Sequence, residues 1–87
     1  MLIKFNHYFE TISILGKGSF AIVYSVWKID TNEEFAVKVF NKKWLNNNLG
    51  EKKSVLNEIK IMRNVNHPKI LKFIELYEGE NHIYLVM

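Results

Sequence analysis

Two charged residues stand where charge is costly. Lys38 lies in the middle of FAVKVF (residues 35–40), flanked by Val37 and Val39. Glu58 lies in EKKSVLNEIKIMRN (residues 51–64), three residues after Val55 and four before Met62, inside an apolar helical stripe. A carboxylate on a core-facing stripe needs a cation beside it, or it must reach the rim of the helix and water. A mid-strand lysine likewise points to water from an edge strand or meets an acid. A helix packed on the sheet that carries Lys38 would let each charge explain the other. A third feature is LGKGSFAIV (residues 15–23), with Gly16 and Gly18 one residue apart. Glycines there serve a hairpin turn, or they let backbone amides approach an anion with no Cβ in the way.

The elements that must position these residues follow from periodicity. Tyr8–Leu15 and Ala21–Ile29 are rich in β-branched and aromatic residues and predict two strands, paired as an antiparallel hairpin with an extended glycine loop. Asp30-Thr31-Asn32 supplies turn chemistry. FAVKVF predicts a third strand, with Ala36, Lys38 and Phe40 on one face and Phe35, Val37 and Val39 on the other. NKKWLNNNLG (residues 41–50) reads as a loop or ragged helical turn. A helix over about 51–64 follows, with Val55, Ile59 and Met62 at helical spacing and Leu56 and Ile61 widening the stripe. Asn66-His67-Pro68 ends it. Strands over about 70–78 and 82–87 are joined by a turn at Glu78-Gly79-Glu80-Asn81. The expected class is α+β: a five-stranded antiparallel sheet with one long helix, in the order β-β-β-α-β-β.

Composition narrows the function. With 87 residues there is room for one small domain, and with 48% hydrophobic and 24% charged residues the mixture is that of a folded protein. The chain has no cysteine, so disulfides and thiolate metal sites are excluded, and its three histidines are too scattered for a local metal motif. No apolar run reaches the ~18 residues of a membrane span, and the N-terminus lacks a secretory h-region. A cytoplasmic or otherwise intracellular protein is expected. The net charge of +3 is spread along the chain and reads as a solvated surface, so neither nucleic acid nor membrane is an expected partner.

Taken together, Gly16-Lys17-Gly18-Ser19-Phe20-Ala21-Ile22-Val23, then Phe35-Ala36-Val37-Lys38, then Glu58 in LNEIKIMRNVNHPKI, resemble the N-terminal lobe of the eukaryotic serine/threonine protein kinases. That family carries G-x-G-x-x-G-x-V, V-A-I-K and a glutamate on the following helix. HIYLVM is similar to the family's fifth strand, with Met87 in the gatekeeper position. The resemblance covers residues 8–87, a partial kinase domain that stops before the hinge, and leaves 1–7 as an N-terminal extension. FNKKWL and IKIMRNVNHPKI resemble the calcium/calmodulin-dependent type.

The resemblance implies ATP as ligand. The loop from Gly16 through Lys17, Gly18, Ser19 and Phe20 to Ala21 would cover its phosphates, with Phe20 closing over them. Leu15, Val23 and Ala36 would sandwich the adenine, and Met87 would wall the back of the pocket. Lys38 would bind the α- and β-phosphates, held by an ion pair with Glu58. The third family glycine is Ala21 here, which fits where that position is extended. The metal-binding and base-bearing motifs of the family are absent, and the single aspartate, Asp30, lies in a turn. Mg2+ and a protein substrate are therefore implied only for a complete kinase, and this chain by itself is expected to be inactive. The alternative is a non-catalytic kinase-like module that docks on a partner. Exposed apolar residues on the face toward a second lobe, Val23 and Ala36 among them, are expected to favour self-association.

Overall fold

The alternation in FAVKVF builds the centre of the molecule. The computed structural model describes residues 4–64 and 75–87, with side chains described for all of these except 62–64. Three strands, β1 (Phe9–Lys17), β2 (Ala21–Lys28) and β3 (Glu33–Asn41), precede a short helix α1 (Lys42–Asn46) and a long helix α2 (Leu49–Asn64). Strands β4 (Glu75–Glu78) and β5 (His82–Val86) complete the sheet. Its spatial order is β1-β2-β3-β5-β4, with every neighbouring pair antiparallel. The expected order of strands and long helix is thus present, with β3 at the centre of the sheet.

Strand parity sorts the core onto two faces. On one face Ala21, Phe40 and Leu85 are buried together with Leu45 of α1 and Val55 and Ile59 of α2. On the other, Val26, Val37 and Val86 are buried with Phe9 and Phe5. Phe5 belongs to a single 3₁₀ turn, Phe5–His7, in the segment expected as an extension. Its ring stacks between Phe9 (4.5 Å, 12°) and Tyr84 (4.1 Å, 9°). The first residues described are therefore part of the outer core.

Several local expectations change. Strand β1 runs on through Gly16 and Lys17, so the loop between β1 and β2 shrinks to Gly18–Phe20. Two register shifts, between Thr11 and Ser13 and between Ile14 and Gly16, keep β1 paired across its length. Asn41 ends β3 and caps α1, its Oδ1 accepting the Trp44 N–H at 2.9 Å, so of the two readings of residues 41–50, loop or ragged helical turn, the helical one holds for Lys42–Asn46. Leu56 and Ile61 do not widen the buried stripe of α2; they are 51% and 54% exposed. The helix meets the sheet along the narrow i, i+4 line of Val55 and Ile59, and residues to either side of that line face away. The turn before β3 places Asn32 at φ 58°, the left-handed region that asparagine tolerates better than most residues. The Asn66-His67-Pro68 break and the first half of the fourth expected strand lie outside the described residues, as does the side chain of Met62.

Candidate functional site

Register gathers five of the candidate residues, Gly16, Val23, Ala36, Lys38 and Met87, into one patch. Val23 on β2 stands opposite Lys38 on β3, and Gly16 on β1 stands opposite Val23. Two residues before Lys38, Ala36 exchanges backbone hydrogen bonds with Met87: the Met87 N–H donates to the Ala36 carbonyl at 2.8 Å, and the Ala36 N–H returns the bond at 3.3 Å. Residues paired across antiparallel strands share a face. Val23, Ala36 and Lys38 therefore lie together on the face that also carries Phe40, with Met87 packed against the same cluster. Val23, Ala36, Lys38 and Met87 are all half-buried, which leaves a shallow apolar floor with one ammonium in it. Leu15 adjoins Gly16 at the register shift and is exposed.

The Lys38 ammonium rests 5.4 Å from the centroid of the Phe40 ring. The two residues are i and i+2 on one strand, so parity alone puts them side by side. A cation over a ring face at a partly exposed site gains about 0.5–1 kcal/mol. Glu58 is exposed on α2, and among the described residues no ion pair joins it to Lys38; the pair formed is Lys42–Glu78, at 3.4 Å. The helix presents Val55 and Ile59 to the core, and Glu58, one residue before Ile59, projects from the rim of that contact. Water thereby solvates the carboxylate that the sequence placed on the stripe.

The glycine loop is open on one side and tied on the other. A Cβ added at Gly16 would meet nothing within 4 Å, whereas one at Gly18 would touch the Ala21 carbonyl oxygen at 3.4 Å. The Gly18 N–H donates to that same oxygen at 2.8 Å and is thus occupied within the turn. Ala21 opens β2 with ordinary negative φ, so the missing third glycine creates no backbone strain. Lys17 and Ser19 are exposed at the loop. Phe20 does not stand free at the tip. Its ring stacks on Trp44 of α1 at 5.0 Å and 9°, and it packs against Phe40. Trp44 escaped the sequence reading because it sits in an asparagine-rich stretch; an indole in so polar a segment was the available signal. Phe40, the ring beneath Lys38, was placed on the face of Lys38 by parity but given no role.

Comparison with known proteins identifies the family. The family described as protein kinase domain matches residues 9–87. The serine/threonine-protein kinase PLK4 of Danio rerio is 37% identical over 79 residues, covering 91% of this chain and 8% of that protein. Calcium-dependent protein kinase 4 of Plasmodium berghei is 37% identical over 84 residues, covering 97% of this chain and 16% of that protein. The chain thus spans a small part of the relatives it matches. Its five-stranded antiparallel sheet with one long helix has the architecture of a kinase N-terminal lobe. Across almost its whole length, this chain belongs to the protein kinase domain family.

Proposed function

We propose that this lobe binds ATP on the face formed by Val23, Ala36, Lys38 and Met87, as the nucleotide-binding half of a serine/threonine protein kinase. The observation that carries the reading is the cross-strand register, which brings Gly16, Val23, Ala36, Lys38 and Met87 together from four separate sequence segments. The adenine lies against Leu15, Val23 and Ala36, with Met87 behind it. Lys38 leaves the Phe40 ring for the α- and β-phosphates, an exchange that gives up only the weak cation–π contact. The open side of Gly16 admits the phosphates beneath the loop. Glu58 holds Lys38 once α2 turns that carboxylate toward the sheet. Joined to a second lobe, this face presents the γ-phosphate for transfer to a protein serine or threonine. On this reading Mg2+ belongs to the complete domain.

The test is nucleotide titration of the parent chain against Lys38→Met, alone and joined to a second lobe. A loss of about tenfold or more in affinity, the scale of a charge-assisted phosphate contact, is expected. Equal affinity and equal turnover would remove Lys38 from the role assigned to it. A second reading, a non-catalytic module that docks on a partner, draws on Leu49, Leu56 and Ile61, all exposed on α2. Under that reading Lys38→Met leaves partner binding intact and Leu56→Asp abolishes it.

A further inference from the structure

We propose that a cavity at the end of the sheet, beside the glycine loop, is a second binding site, for a small ligand that joins a planar apolar ring to an anionic group. The cavity has a volume of about 540 Å3, within the range of small-molecule sites. Its floor is Ile22, Tyr24 and Val39. These alternate with Val23 and Lys38 along β2 and β3, so the floor belongs to the face across the sheet from Lys38, while Phe20, Ala21 and Trp44, which pack with Phe40, close the cavity at the end of the sheet.

Its chemistry is two-part. Trp44 and Phe20, stacked on one another, line the cavity at the end of the sheet, and Tyr24 adds a third ring. Flat rings of this kind receive another flat ring by offset or edge-on stacking. Lys17 and Lys43 also line it, and both are exposed. Neither forms an ion pair among the described residues. No aspartate or glutamate lines the cavity, although the chain has 9 acidic residues. Two cations with no acid between them produce a positive field over an apolar floor. A neutral aromatic would leave that field unused, and a bare anion would leave the rings unused. The cavity shares the loop residues 17–21 with the proposed nucleotide site; what it has of its own is the floor, Trp44 and Lys43.

The test uses naphthalene-2-sulfonate as the probe, titrated into the 87-residue chain and followed by amide NMR shifts. Trp44 fluorescence in a Trp27→Phe background gives a second readout, since the chain has 2 tryptophans. The expected result is saturable binding with shifts confined to residues 17–24 and 39–47. Neutral 2-naphthylmethanol should bind about tenfold more weakly, and Lys43→Glu should weaken the sulfonate by about tenfold or more. Lys38→Met should leave the sulfonate affinity unchanged. Equal affinity for the charged and neutral probes, a measurement on the parent chain alone, would overturn the proposal. So would unchanged affinity in Lys43→Glu, a loss of affinity in Lys38→Met, or shifts centred on Val23, Ala36 and Lys38.

Discussion

Replacing Phe5 by alanine tests whether the segment before β1 belongs to the folded lobe. Phe5 is 6% exposed and lies between the rings of Phe9 and Tyr84, with Tyr77 edge-on at 6.3 Å. Burying a phenylalanine side chain gains about 1.5–3 kcal/mol. Stacked aromatic neighbours add about 0.5–1.5 kcal/mol beyond the buried area. Against these stands the chain entropy of ordering the 3₁₀ turn, about 1–2 kcal/mol per residue, which is recovered when the turn peels away. That recovery holds the loss below the ~3–5 kcal/mol of a phenylalanine deleted from the middle of a core. The expected net loss is about 2–3 kcal/mol, a large share of the roughly 4–13 kcal/mol that a domain of this size possesses. Urea unfolding followed by far-UV and near-UV circular dichroism should show the midpoint falling by about 1–2 M with little change in slope. Thermal unfolding should move down by about 10 °C or more. Phe5→Leu, which keeps apolar bulk without a ring, should lose about 1 kcal/mol. If Phe5→Ala stays within about 0.5 kcal/mol of the parent, the level of an ordinary surface change, Phe5 is not seated as described and the outer core starts at Phe9.

Three further outcomes follow from particular contacts. Asn41→Ala removes the acceptor for the Trp44 N–H and should cost about 1 kcal/mol in urea unfolding, while Asn41→Asp should keep most of it. Burial raises the Tyr84 phenol above its usual value of 10.0. The folded state therefore holds this proton more tightly than the unfolded chain, so the contribution is complete below pH 10 and is lost as pH rises through the folded value. Thermal melts from pH 8 to 11.5 should decline less steeply in Tyr84→Phe than in the parent. Ile12, Ile14 and Leu15 are exposed along β1, an edge strand, and sedimentation should show concentration-dependent association that Ile14→Lys reduces. A single monomeric species over roughly a hundredfold range of concentration would contradict that expectation.

The sequence alone determined the order of elements along the chain, the parity of β3 and the neighbours of Lys38 on its own strand. Alternation has a period of two, so once FAVKVF is a strand, Ala36, Lys38 and Phe40 must lie together whatever surrounds them. The turns at residues 30–32 and 78–81 were legible for a similar reason, because their residue types favour a narrow set of local backbone conformations. Tertiary structure decided how the elements meet. Helical periodicity put Glu58 within an apolar stripe but could not say which line of that stripe would touch the sheet. Contact along Val55 and Ile59 left Leu56, Ile61 and Glu58 to solvent and Lys38 to the ring of Phe40. The Phe20–Trp44 stack and the insertion of Phe5 between Phe9 and Tyr84 were equally out of reach. Each joins residues with no local pattern in common, and packing is a property of surfaces that exist only after the chain has folded.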